Sequence, residues 1–202
     1  MKNLWLLIAF AMALGFALKF FAFEVFTVPT DSMEPTIKTG SKVWLNKIKL
    51  SEYKRGDIIG FSHGNENFVK RITGKSRDYI TWLGGKFYCS EDTLVPPPII
   101  EGMSPVDEIY LKSLYRIPRT GDSIKITNDN FDFYKPLIEN SEHVLAGKIL
   151  NKIFINNKEA NYYVFKQNYY FVEGDNKTVS VDSRTFGLIS ENQIIGKVLG
   201  KK

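Results

Sequence analysis

Cysteine, histidine and phosphate-binding glycine loops are what this 202-residue chain has least of, and each shortage removes a class of function. The single cysteine, Cys89, excludes an internal disulfide, leaves the redox compartment open and argues against a thiolate metal cluster. Histidine occurs twice, at His63 and His143, both in polar, loop-like contexts and without the paired spacing of a zinc site. His63, in "FSHGNEN" between two strand-like pieces, reads as a solvated turn residue, which leaves a Ser-His-Asp hydrolase open but unsupported. No glycine-rich cradle follows a strand, which leaves nucleotide chemistry without a site. The formal charge of +5 is scattered along the chain. It builds no basic arm for nucleic acid and fits a weak attraction to anionic lipid.

Long apolar runs are also scarce, with one exception at the start. Leu4 to Leu18 is uncharged and almost wholly apolar, and the run resumes after Lys19 with Phe20 to Phe23. As a helix, positions 4–23 reach roughly 30 Å at ~1.5 Å per residue, enough to cross a hydrocarbon core. Lys19 can snorkel to the interface. The competing reading is a cleavable secretory signal, with Met1-Lys2-Asn3 as its basic start and Ala11-Met12-Ala13 as a small-x-small cleavage site. Length favours a retained anchor preceded by a stub at 1–3; the flanking charges Lys2 and Lys19 oppose each other and do not fix orientation.

Beyond the anchor, positions 24–202 supply one core, and the pattern is that of sheet. Short pieces such as "SKVWLNKI", "GDIIGF", "NFVKRIT", "YITWLGGKFY", "GKILNKIFINN" and "NYYVFKQNYYFVEG" are rich in β-branched and aromatic residues and stop at Gly, Asn, Asp or Ser. A mainly β, antiparallel fold is expected. Gly56-Asp57 and Gly121-Asp122 each stand before such a piece and read as turn punctuation. Between about 89 and 140 the chain is proline-rich and aperiodic, as in an insertion or subdomain, and "NFDFYKPLIENSEH" is the best short helix.

Catalysis without histidine needs another base, and a neutral lysine can take a serine proton. In "NFVKRIT" alternation puts Phe68, Lys70 and Ile72 on one strand face and Val69, Arg71 and Thr73 on the other. A lysine among Phe and Ile is desolvated, which lowers its pKa; bringing ~10.4 close to neutrality costs about 4 kcal/mol. The plainer alternative is a charged strand edge that discourages aggregation. Ser32, in "VPTDSMEPTIKTG", has a plain alternative too: Asp31 to Glu34 matches a helix-capping box, although Pro35 and Gly40 leave little room for a helix.

Four segments in order, "PTDSMEPT", "RGDIIGF", "FVKR" and "GDNKTVSVDSRTFG", resemble the conserved boxes of bacterial type I signal peptidases, membrane-anchored serine endopeptidases with a Ser-Lys dyad. The resemblance implies a β-rich catalytic domain with one N-terminal transmembrane helix, Ser32 as nucleophile and Lys70 as general base. It implies an oxyanion hole from the Ser32 N–H and the Thr30 hydroxyl, Ser180 orienting the lysine, Asp182 and Arg184 as a supporting ion pair, and Gly174, Asp175 and Asn176 shaping the adjoining turn. Phe26, Val28, Met33, Ile37 and Val69 would line the substrate pocket, with ordinary core as their alternative.

The same resemblance implies preprotein signal peptides and the lipid bilayer as partners, no nucleic acid, and no metal or other cofactor. It puts the chain in the bacterial cytoplasmic membrane, single-pass, with the catalytic domain on the extracytoplasmic face. The tether from Phe23 to Ser32 reaches at most about 30 Å, holding the serine near the bilayer. Two departures stand out: Lys177 where the family usually has Arg, and "ITGKSRD" where Lys-Arg is usually followed by a Pro-Gly-Asp turn. The alternatives are a Ser-Lys self-cleaving repressor, against which the anchor speaks, and a catalytically silent envelope adaptor for exported peptides, against which the pairing of Ser32 with Lys70 speaks.

Overall fold

Short apolar runs bounded by turn residues become strands, in a computed structural model that describes positions 8, 10, 12, 15, 21–49, 51–83, 86–90 and 114–200. In chain order the elements are β1 (Phe23–Thr27), β2 (Lys42–Asn46), β3 (Ile58–His63), β4 (Glu66–Gly74), β5 (Tyr79–Leu83), β6 (Lys86–Ser90), β7 (Leu114–Arg116) and β8 (Ser123–Lys125). There follow helix α1 (Phe131–Pro136), β9 (Ala146–Ile149), β10 (Lys152–Ile155), β11 (Lys158–Glu159), β12 (Tyr162–Val164) and β13 (Tyr169–Glu173). Helix α2 (Ser183–Phe186), β14 (Ile189–Ser190) and β15 (Ile194–Val198) complete the chain. The protein is mainly β, and the paired strands described are antiparallel.

The largest sheet runs β1-β2-β15-β3-β4-β13-β14. Neighbouring residues of β3 serve opposite faces. Ile58 joins Val28, Met33, Ile37, Leu45 and Val69 in one cluster, while Ile59 and Phe61 join Ile72, Tyr170, Val172 and Ile189 in the other. Burial on both faces explains why "IIGF" reads as a continuous apolar run, and each such side chain contributes about 1.5–3 kcal/mol. Along β4 the expected alternation holds: Val69 packs on the first cluster, Phe68 and Ile72 on the second.

A smaller unit is built from the sheets β6-β5-β7, β12-β8 and β11-β10-β9. Its core is aromatic: Phe131, Tyr134, Tyr163, Phe165, Tyr169 and Phe171 are buried together. The helix expected in "NFDFYKPLIENSEH" is α1, continued by a wider turn over Leu137–Ser141. Of the insertion expected at about 89–140, the described part supplies β7, β8 and α1; the proline-rich stretch 91–113 lies outside the described residues.

Three turns share one plan. In Lys54-Arg55-Gly56-Asp57, Lys75-Ser76-Arg77-Asp78 and Arg119-Thr120-Gly121-Asp122, the Asp N–H donates to the first residue's carbonyl and the first residue's N–H donates to the Asp carboxylate. The third residue has φ of 89, 79 and 86° respectively, the value a type II turn requires. Each turn is also laced to a neighbouring segment by a reciprocal pair of bonds, Gly56 and Asp57 with Ile72, Arg77 and Asp78 with Ile117, Gly121 and Asp122 with Phe165. Ser76-Arg77-Asp78 thus completes a turn of this plan, with an arginine where the other two turns carry glycine.

The N-terminal expectation needs correction at its end. Phe23, last residue of the expected span 4–23, opens β1, which pairs with β2 from Phe23↔Asn46 to Thr27↔Lys42, so the first part of the connection to Ser32 lies in the main sheet. Ile8, Phe10, Met12, Gly15, Phe21 and Ala22 are helical; the rest of positions 4–20 lie outside the described residues. Among the described residues no helix is long and apolar enough to cross a membrane.

Candidate active site

Ser32 sits in a single 3-10 turn, Asp31–Met33, between β1 and β2. The capping box from Asp31 to Glu34 does not form: Glu34 instead accepts from the backbone N–H and hydroxyl of Thr39, which hold its carboxyl below the usual range. Met33 is fully buried and anchors the turn in the apolar cluster below, which holds the Ser32 hydroxyl in place.

Lys70 reaches that hydroxyl from the middle of β4. Its Nζ lies 2.6 Å from Ser32 Oγ, and the two residues are only 3 % and 6 % exposed. Thr30 donates its own hydroxyl to Ser32 Oγ at 3.1 Å. Burial pushes the Lys70 amine below the ordinary lysine value; the Asp182 carboxylate pulls it back up and the Arg184 cation adds to the depression. The exposed-edge alternative for Lys70 is therefore ruled out.

The loop after β13 closes over this pair. Asp182 is wholly buried, caps α2 through the Arg184 N–H, and takes a fork from the Arg184 guanidinium, Nε to Oδ1 at 2.9 Å and Nη2 to Oδ2 at 2.8 Å. The Gly174 N–H adds a further bond at 2.9 Å. Burial alone would raise the Asp182 pKa, but Arg184 and the Gly174 N–H outweigh it and hold the carboxyl below its usual range. The Asn176 N–H donates to the Ser32 carbonyl at 3.0 Å and its Nδ2 to the Asp31 carbonyl at 3.3 Å. Ser180 Oγ is buried beside Gly174 and, among the described residues, makes no hydrogen bond of ordinary geometry.

Arg71 ties the segments together, and sequence reasoning did not single it out although "FVKR" contains it. Its guanidinium grips Asp175 through Nε at 2.8 Å and Nη2 at 2.7 Å while donating to the Gly56 carbonyl at 2.9 Å. The Asp175 carboxyl, which burial would raise, is held low by this grip. Residues far apart in the chain thus meet in one network: Gly56, Arg71 and Asp175 around the dyad's rim, Asp182 and Arg184 behind it. Lys177, the departure from the usual Arg, pairs with Glu173 at 2.9 Å, and its carbonyl accepts from Arg184 Nη1.

Ser32 and Lys70 stand in the lining of a groove of about 380 Å³. Phe26, Val28 and Val69 are among its lining residues. Met33 and Ile37, expected in the pocket, are 0 % and 1 % exposed and form the core below it. Val179 and Val181, half-exposed on the loop before α2, complete the wall; their place in a polar-looking segment hid them. One side is β1, the outermost strand of its sheet. The other is the first half of β4, which pairs with β3 alone because β13 joins β4 only from Arg71 onward. Two free strand edges flanking a groove suit an extended chain laid between them.

Chemically, a buried amine within hydrogen-bond reach of a buried hydroxyl can take its proton and hand it on. The sequence profile of the family described as "Signal peptidase, peptidase S26" matches residues 1–200. A protein named Signal peptidase IB from Staphylococcus aureus (strain Mu50 / ATCC 700699) is 32% identical over 199 residues, covering 96% of this chain and 85% of the relative. Signal peptidase I of Buchnera aphidicola subsp. Schizaphis graminum is 27% identical over 216 residues, 90% of this chain and 68% of that one. A crystal structure of a signal peptidase I from Enterococcus faecalis V583 aligns over 74% of this chain and 98% of its own at 17% identity, with a TM-score of 0.31. The profile match over nearly the whole length and the identity to the staphylococcal protein place this chain in the signal peptidase family, peptidase S26.

Proposed function

We infer that this chain is a membrane-bound serine endopeptidase that removes N-terminal signal peptides from translocated preproteins, with Ser32 and Lys70 as its catalytic dyad. The observation that carries this reading is the 2.6 Å contact between the two groups in the wall of a groove flanked by the edges of β1 and β4. The substrate lies extended between β1 and the start of β4; main-chain bonds supply affinity, and the shallow wall of Phe26, Val28, Val69, Val179 and Val181 selects small side chains.

Neutral Lys70 takes the Ser32 proton as Oγ attacks the scissile carbonyl. The oxyanion is held by the Ser32 N–H, an opening position of a 3-10 turn with no acceptor inside the turn, and by the Thr30 hydroxyl once it swings from Ser32 Oγ. The Lys70 ammonium then protonates the leaving amine, giving an acyl-enzyme. Neutral again, Lys70 deprotonates a water that releases the acid, and the proton returns to Ser32. The family resemblance gives Ser180, buried next to Gly174, the part of orienting the amine, and the Asp182–Arg184 pair fixes the loop that carries Ser180.

The reading places positions 4–22 in the bacterial cytoplasmic membrane as a single span, with 23–202 on the outer face. The outward-facing Phe10, Met12 and Phe21, 67 %, 67 % and 76 % exposed, support lipid contact there. The experiment is incubation of the detergent-solubilised chain with a preprotein and mapping of the new amino terminus. Cleavage at a signal-peptide boundary, lost in Ser32→Ala, supports the reading. A folded wild-type chain that leaves preproteins intact while binding them points to the adaptor.

A further inference from the structure

A second polar cavity, of about 180 Å³, lies at the opposite end of β4 from the groove and belongs to no part of the dyad's surroundings. Its volume is several times the ~30 Å³ share of one water. Cations outnumber carboxylates in it: Lys75, Arg77 and Arg119 line it with Glu52, and the rings of Tyr53 and Tyr170 form walls. Lys75 and Arg77 have, among the described residues, no side-chain hydrogen bond or ion pair; Arg119 keeps only a loose contact with Asp122 at 3.9 Å.

Arg77 is held there against its backbone preference. It occupies the left-handed position of its turn at φ 79°, the place filled by Gly56 and Gly121 in the two turns of the same plan. Glycine satisfies that position without strain, so the turn does not need an arginine. What the arginine adds is a guanidinium on a cavity already lined by two cations, an arrangement matched to an oxyanion with several acceptors.

We propose that this cavity binds a phosphate-bearing anion. Position favours a phospholipid headgroup over free phosphate as its source. The Lys47 N–H donates to the carbonyl of Ala22, where the N-terminal helix ends, and only six residues lead from Lys47 to Tyr53 in the cavity wall, at most about 20 Å of extended chain. Lys49, stacked over the Tyr53 ring at 5.9 Å, and exposed Ile48 lie along that path. The headgroup assignment shares with the proposed function the membrane reading of the N-terminus; the phosphate site does not depend on proteolysis, and its test reads binding alone.

The full chain in a neutral detergent is titrated with inorganic phosphate at constant ionic strength, and separately with short-chain phosphatidylglycerol and phosphatidylcholine, following protection of Lys75 from an amine-reactive label. Phosphate and phosphatidylglycerol should both protect, phosphatidylglycerol at lower concentration, and phosphatidylcholine weakly or not at all. Arg77→Gly, which keeps the turn, and Lys75→Gln, read by thermal shift, should each weaken phosphate binding about tenfold. Protection by phosphate with no preference for phosphatidylglycerol supports the site and overturns the lipid source. Absence of protection by either anion, or Arg77→Gly binding as tightly as the parent, overturns the proposal.

Discussion

Gly174 faces the carbonyl oxygen of Ser32 so closely that a Cβ on it would stand 2.5 Å from that oxygen and 2.2 Å from Ser180 Oγ. The first of these neighbours is backbone and cannot turn aside. Glycine is what lets the loop after β13 close on the nucleophile's own peptide.

Gly174→Ala should therefore damage catalysis more than folding. Displacing Ser32 by even a fraction of the distance separating it from Lys70 costs about 10²-fold in kcat, since catalytic geometry tolerates less than ~1 Å. Stability should fall by about 1–3 kcal/mol, as for other overpacked sites. Preprotein cleavage and a thermal melt on the same preparation check this, and near-normal turnover would show that the loop is free to yield.

Lys70→Met removes a buried amine whose pKa burial has lowered. Between its lowered folded value and the ordinary 10.5, the unfolded chain holds a proton the folded chain has shed, so wild-type stability rises with pH across that window. The variant lacks this term. It should be inactive, should melt higher than wild type at neutral pH, and should lose that advantage as pH climbs toward 10.5. Paired melts at pH 6.5 and 9.5 read the sign. Lys70→Arg should fail as a catalyst too, because guanidinium does not give up its proton in this range.

Asp182→Asn leaves the Arg184 cation without its buried partner, and breaking such a pair costs about 3–5 kcal/mol. In the parent the depressed Asp182 pKa contributes stability that is present above its ordinary 3.8 and is lost as pH falls through the lower folded value. Denaturant melts should show a weaker acid dependence in the variant. Because Asp182 is the group that raises the Lys70 pKa, the pH onset of any remaining cleavage should shift downward.

Arg77→Gly should stabilise the protein. A left-handed L-residue costs about 1–2 kcal/mol, which glycine does not incur, and part of the gain is offset by the freer unfolded chain. A melting temperature about 2–4 °C higher, with preprotein cleavage unchanged, is the expected result. A lower melting temperature would mean that the guanidinium holds the fold through contacts other than those described.

Much of this was legible in the sequence, for reasons that are themselves physical. Strands β2 to β6 follow from alternation and turn residues, and Lys70 between Phe68 and Ile72 already announces a desolvated amine. β1 was hidden because its Phe-Glu-Val-Phe-Thr follows the apolar run without punctuation, so Phe23 read as the end of a helix. Met33 and Ile37 share the chemistry of pocket-lining residues, and only packing separates floor from wall. The turn at Lys75–Asp78 escaped because its defining feature is a backbone angle that Arg77 does not advertise. Val179 and Val181 sit in a polar segment that would be a plain loop were it not folded over the dyad.

The central claim, that Lys70 is neutral when it takes the Ser32 proton, is tested most directly by the acid limb of kcat/KM for preprotein cleavage by the wild-type chain. The limb should report a single group titrating below the ordinary lysine value of 10.5. A limb at the ordinary lysine value, or cleavage of normal rate surviving in Lys70→Ala, would contradict it.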